Sequence, residues 1–365
     1  MRILQIAASL KIGGAEKVAR DLGLCAINAG HEVHYVVFGD VIGDYEVELT
    51  DCGARIIHIA SPSQGYRRYI RTLKKLIREN HYDVVHAHTM FNIGWVMQAA
   101  KQCHVPTRIA HAHSALDTAG GLRTSLYEKA MRHLILQNAT ELIACGDAAG
   151  IRLFGKQGYQ QRGKRILNGI DIDAYAYSGD RRLKLRKELG VQEGFLIGHV
   201  GHLAEVKNQS FLIRLMPELL KRKPNAKLLL LGEGPDRPML ERLVRELRLT
   251  EKVVLTGNVR NVSDYLSAMD VYAFPSLYEG MPLSIVEVQA NGLPCVLSTG
   301  VPKDVYLTEL VKPLPLDEPT KWVEAICTTR REQPERYAGE LKAKGFDTED
   351  VMKKFLEIYE RADKN

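Results

Sequence analysis

Short apolar, β-branched runs alternate with helical periodicity from one end of this 365-residue chain to the other, and the alternation restarts halfway along. That alternation is the pattern of a doubly wound α/β protein, in which helices cover a mostly parallel sheet. Strands are predicted at 3–7, 33–38, 55–59, 84–88, 108–113, 141–145 and 165–167, and again at 195–200, 227–231, 253–256, 271–274 and 295–298. A chain this long exceeds what one hydrophobic core supports, so two domains are expected, at residues 1–172 and 190–346. The polar, charged stretch from Asp171 to Glu193 reads as the linker between them. A last helical pattern covers about 347–365, capped by Asp347 or Thr348, with Val351, Phe355, Leu356 and Tyr359 on one side.

Composition excludes several classes. At 45% hydrophobic and 26% charged residues the chain is an ordinary globular one. No apolar run approaches the ~20 residues that span a bilayer. The opening Met1-Arg-Ile-Leu-Gln-Ile-Ala7 reads as a strand rather than a signal peptide, so a cytoplasmic location is expected. Six cysteines are scattered with no Cys-x-x-Cys pair and read as buried free thiols.

The net charge of +6 is concentrated locally. On a helical projection of Tyr66 to Arg78, the residues Arg67, Arg68, Arg71, Lys74, Lys75 and Arg78 fall within an arc of ~120°, opposite Tyr66, Tyr69, Ile70, Leu73, Leu76 and Ile77. Two readings fit: a core-packed helix with a solvated outer face, or a helix that turns its basic side to anionic lipid, on the inner face of the cell membrane. Nucleic acid is not an expected partner, because no stacking motif or reading helix accompanies the charge.

The segment Tyr278-Glu-Gly-Met-Pro-Leu-Ser-Ile-Val-Glu287 describes a ligand site. Gly280 allows close backbone approach, and Pro282 is the residue type favoured at the first helical position. The helix is predicted to run from there to Asn291 and to stop at Gly292, ahead of Pro294. Glu279 then lies on the loop before the helix and Glu287 inside it, a spacing suited to two carboxylates holding separate parts of an extended polar ligand. The helix N-terminus between them favours a phosphate. On spacing alone the pair reads more simply as a surface glutamate followed by a helix glutamate.

Other candidates lie at strand ends. Gly13-Gly14 precedes a helix and lacks the third glycine of a dinucleotide fingerprint. His86-Ala-His88 and His111-Ala-His113 each place two imidazoles on one face of a strand, which leaves a metal site open. Asn168-Gly-Ile-Asp171 reads as an Asx-type turn. In Ile197-Gly-His-Val-Gly-His-Leu-Ala-Glu-Val-Lys-Asn208, a strand, a glycine and a later basic residue suit a pyrophosphate clamp. Gly257-Asn-Val-Arg260 forms a strand-to-helix turn.

Together these motifs resemble the retaining glycosyltransferases of family 4, which have the GT-B fold of two Rossmann-like domains facing across a cleft. The resemblance implies transfer of a hexose or N-acetylhexosamine from a nucleoside diphosphate sugar, a UDP-sugar, with no metal and no cofactor. It places Glu279 and His113 on the donor sugar, Glu287 on the ribose, and Lys207 and His202 on the diphosphate. Gly14, Gly280, Met281, Pro282 and Leu283 would line the donor, and Asn258 and Arg260 would approach the base through backbone atoms. The chain departs from the family pattern at His202, where arginine is usual. The final helix would cross back onto the first domain. The wording around Val301-Pro-Lys-Asp-Val-Tyr-Leu is similar to bacterial capsule and exopolysaccharide enzymes, whose acceptors are saccharides carried on polyprenyl diphosphate. Three alternatives stay open at this point: a nucleotide-sugar epimerase or hydrolase, a metal-dependent hydrolase using His86, His88, His111 and His113, and a non-catalytic nucleotide-sugar sensor.

Overall fold

The computed structural model describes residues 1–114 and 121–361. They form two compact units, one of residues 1–169 with the chain end from Thr348, the other of Ile170–Asp347. The first unit holds β1 (Arg2–Ile6), β2 (Glu32–Phe38), β3 (Arg55–Ile59), β4 (Val84–Ala87), β5 (Thr107–Ala112), β6 (Glu141–Ala144) and β7 (Gly163–Arg165). They pair in the order β3-β2-β1-β4-β5-β6-β7, all parallel. The second unit holds β8 (Phe195–Val200), β9 (Ala226–Leu231), β10 (Val253–Gly257), β11 (Val271–Phe274), β12 (Cys295–Ser298) and β13 (Val311–Leu314). Their order is β10-β9-β8-β11-β12-β13, again all parallel. Each sheet reverses its strand order once, at β1/β4 and at β8/β11. Ligands of open α/β sheets bind outside the carboxyl ends of the strands at such a point.

The apolar runs become strands because helices cover both sheet faces, which buries every side chain of β4, β11 and β12. The helix Thr348–Glu360 inserts Val351, Met352, Phe355, Ile358 and Tyr359 into the core of the first unit, beside Ile3, Tyr35, Val84 and Ile109. Five large apolar side chains of that kind, at ~1.5–3 kcal/mol each, hold the helix in place.

Several expectations are corrected. The stretch Asp171 to Glu193 is not a linker but part of the second unit. Asp171 caps a short helix through Ala174 N (2.9 Å), and a further helix, Gly179–Glu188, lends Arg182 and Arg186 to Asp270 at 2.5 and 3.1 Å. Polar residues that look solvated in one dimension form a partly buried ion-pair cluster in three. The strand predicted at 165–167 is β7, two residues earlier. The sixth strand of the second sheet, β13, was not anticipated, because its exposed Lys312 and Pro313 suit only a sheet edge. Of the cysteines, all free, only Cys145, Cys295 and Cys327 are buried, and Cys52 is exposed.

Candidate active site

In the second unit, three loops at the carboxyl edge interlock. After β8 the chain passes Gly201 and the exposed His202 into a turn, Glu205–Lys207, that ends on Asn208 in the left-handed region (φ 53°). Asn208 donates to Pro275 O (3.3 Å), and Leu277 N donates to Val206 O (2.8 Å), so this loop is tied to the one after β11. Glu279 N donates in turn to Gly300 O (3.2 Å), after β12. Gly300 is required there, because a Cβ on it would stand 2.1 Å from Leu277 O.

The result is an ion pair. Lys207 Nζ donates to Glu279 Oε1 at 2.6 Å, with only 20% and 12% of the two side chains exposed, and lies 5.1 Å from the centre of the Phe274 ring. The helix following Glu279 is Leu283–Ala290, with Pro282 as its N-cap rather than its first residue, and Gly292 ends it with φ 60°. Glu287 is buried at 8% exposure one turn into that helix. Gly280, Met281 and Leu283 are half-buried, and Pro282 is buried. Asn258 and Arg260 stand exposed on the turn after β10, where Gly257 takes φ 76°.

In the first unit, Gly13 takes extended backbone before the helix Gly14–Asn28, and Glu16 folds back over it, so that a Cβ on Gly13 would meet Glu16 Oε2 at 2.3 Å. Burial raises the Glu16 pKa. Gly14 is open, with nothing within 4 Å of an added Cβ.

The four strand-end histidines converge. His86 Nε2 meets His111 Nδ1 at 3.1 Å, and His88 Nδ1 meets His113 Nε2 at 2.8 Å. The remaining nitrogens of His86 and His88 are bonded to Tyr359 Oη (2.7 Å) and Gln5 Oε1 (2.8 Å). Desolvation pushes the pKa of His86, His88 and His111 well down, and that of His113 to about 3. Ligand atoms of His86, His88 and His111 lie within 4.8 Å of one another, so geometry alone could admit a metal ion. Yet both nitrogens of His86 and of His88 already have hydrogen-bond partners, and no carboxylate joins the group among the described residues. The arrangement does not favour the metal-dependent hydrolase.

Comparison with known proteins decides the family. Residues 12–174 match the model described as Glycosyltransferase Family 4, and residues 194–330 match Glycosyl transferases group 1. The protein EpsF of Bacillus subtilis is 31% identical, over 98% of this chain and 96% of its own. The chain belongs to glycosyltransferase family 4. Another relative of this family 4 enzyme, at 27% identity over 62% of this chain and 60% of its own, is the UDP-Gal:alpha-D-GlcNAc-diphosphoundecaprenol alpha-1,3-galactosyltransferase of Escherichia coli. Among solved structures, HepE of Anabaena in complex with UDP superimposes with a TM-score of 0.81 at 22% identity, covering 98% of this chain and 99% of that one. Its complex with UDP-glucose gives 0.80. The shared fold is GT-B.

Several residues of this family 4 glycosyltransferase were not singled out from sequence. Gln209, fully buried, reaches His202 O (2.9 Å) and His199 Nε2 (3.3 Å). His199, its pKa pushed to about 3 by burial, bonds Ala273 O (3.1 Å), which props the Lys207 loop from beneath. Ser276 Oγ, buried in the loop two residues past β11, finds no hydrogen-bond partner among the described residues. Gln289 spans two backbones, donating to Ile285 O and Val305 O and accepting from Leu307 N and Thr308 N. A polar residue among apolar neighbours is the only sequence signal any of these carries.

Proposed function

We propose that this glycosyltransferase is a retaining, metal-independent hexosyltransferase that carries a hexose or N-acetylhexosamine from a UDP-sugar to a hydroxyl of a lipid-linked saccharide, in surface polysaccharide assembly. The observation that carries the reading is the Lys207–Glu279 pair at the β8/β11 switch point, with Glu287 one turn into the helix that follows. UDP as the nucleotide is supported by the names of the E. coli relative and of the HepE complexes, and the lipid-linked acceptor by the former.

In this reading Lys207 meets the diphosphate, whose charge grows as the bond from sugar carbon to phosphate oxygen breaks. Glu279 then accepts hydrogen bonds from sugar hydroxyls and Glu287 from the ribose. The backbone of Gly280 to Leu283 faces sugar and phosphate, His113 holds the sugar, and Gly14, His202, Asn258 and Arg260 complete the donor contacts. The acceptor hydroxyl forms the new bond on the same face, and its proton passes to the departing phosphate oxygen, so no separate base is needed. Thermal-shift binding against a panel of nucleoside diphosphates tests this. Uridine diphosphate is expected to raise the Tm, with the rise lost in Glu287→Ala and indifferent to chelator. A chelator-sensitive Tm with no nucleotide response would defeat it.

The acceptor reading extends to the helix Tyr66–Asn80. Tyr69, Leu73 and Ile77 are buried against the core, and Arg67, Arg68, Arg71, Lys75 and Arg78 are exposed, with Lys74 half-buried. Among the described residues, no helix is long and apolar enough to cross a membrane. Each exposed cation near an anionic surface contributes up to ~1 kcal/mol. Sedimentation with phosphatidylglycerol vesicles is expected for the native chain and to disappear in an Arg68→Glu, Arg71→Glu, Lys75→Glu variant; equal sedimentation of both would remove the membrane from the proposal.

A further inference from the structure

The histidine cluster belongs to a longer chain of hydrogen bonds whose direction can be worked out. Gln5 on β1 is fully buried and paired in register with His86 on β4. Its amide is the one group in the network whose donor and acceptor ends are fixed, whereas each imidazole can carry its proton on either nitrogen. Oε1 faces His88 Nε2 at 2.8 Å, and Nε2 faces Tyr359 Oη at 3.0 Å. His88 must therefore donate from Nε2, which leaves its Nδ1 to accept from His113 Nε2–H. On the other arm Tyr359 Oη accepts from Gln5, so it donates to His86 Nδ1, and His86 donates from Nε2 to His111 Nδ1. All four imidazoles are then neutral Nε2–H tautomers. The two ends of the chain, His113 Nδ1 and His111 Nε2, are the two atoms of the group that lack a partner among the described residues.

We propose that Gln5 and Tyr359 are positioning residues, which through His88 and His86 hold His113 as its Nε2–H tautomer, so that its bare Nδ1 is an acceptor awaiting a ligand hydroxyl. The tautomer follows from the network alone, whereas the hydroxyl being one of the donor sugar rests on the reading of His113 given above. A buried acceptor without a partner is costly, and a ligand O–H removes that cost on binding. The final helix thereby acts on the strand-end histidines although Tyr359 lies 354 residues from Gln5 in sequence.

Nitrogen-15 spectra of histidine-labelled full-length protein at neutral pH, assigned by single substitutions, test the proposal. All four rings are expected to show a protonated Nε2 and a bare Nδ1. In Gln5→Glu, whose carboxylate only accepts, Tyr359 is expected to turn its hydroxyl to residue 5. His86 and His111 then reverse to Nδ1–H, and His88 and His113 keep their tautomer. Should that variant not fold, Tyr359→Phe keeps the ring, and is expected to release His86 and His111 into both tautomers and again spare His88 and His113. A protonated Nδ1 on His113 in the native chain overturns the proposal. So does an unchanged His86 in both variants, or a stoichiometric shift of the four rings on adding zinc chloride. His113→Ala is expected to raise the KM for UDP-sugar roughly tenfold. An unchanged KM beside the expected spectra would remove the sugar contact and leave the network standing.

Discussion

Lys207→Ala is expected to lower kcat by a factor of about 10² to 10³, the usual cost of removing one donor aimed at developing negative charge. The cation is set by its surroundings. Asn208 and Leu277 tie its loop down, Phe274 lies beneath its ammonium, and Glu279 holds it at 2.6 Å. With 20% and 12% of the two side chains exposed, the pair is partly desolvated, so stripping Glu279 of its cation is expected to cost roughly 1–3 kcal/mol of stability as well. The two effects separate in a double variant. Lys207→Met with Glu279→Gln removes both charges together, and is expected to return most of the Tm and none of the kcat. Recovery of kcat in that variant, or a Lys207→Ala enzyme that loses Tm and keeps kcat within tenfold, would make the pair structural only.

The first unit is expected to unfold cooperatively in mild acid. His86, His88 and His111 are held well below the ordinary histidine pKa by burial, and His113 is held at about 3. In the unfolded chain the same four titrate near ~6.5. Below that pH the unfolded state takes up protons that the folded state refuses. The stability these groups contribute is therefore complete above ~6.5 and is lost as pH falls from there toward 3. Each contributes up to ~1.4 kcal/mol per pH unit, so four together approach ~5 kcal/mol per unit. Against a typical stability of about 5–15 kcal/mol, the transition is expected between roughly pH 4 and 6, with an uptake of about four protons. Circular dichroism against pH and urea, read for proton uptake, measures it. A Tm independent of pH across that interval would show that the cluster is open to water.

Much of the architecture was legible because a parallel sheet covered on both faces writes itself as uninterrupted apolar runs. All twelve predicted strands exist, with β7 displaced by two residues. The segment around Glu279 and Glu287 was legible too, since Gly280, Pro282 and Gly292 mark a loop and a short helix by backbone preference. Where the chemistry of a residue depends on a distant partner, reading along the chain failed. Arg182 and Arg186 look like linker charges until Asp270 is beside them, and Lys312 and Pro313 look like a loop until they border a sheet. The two His-Ala-His triplets showed, by alternation, which face each pair occupies.

The sequence by itself determined the doubly wound pattern, the places where strands end and the residue types at those ends. Only the tertiary structure decided that Lys207 spends its charge on Glu279, and that Gln5 and Tyr359 close the histidine chain. The physical reason is range. Backbone propensity and burial periodicity act within a turn or a strand, so they are written locally. A hydrogen bond or an ion pair exists only once folding has brought its two ends within about 3 Å, whatever their separation along the chain.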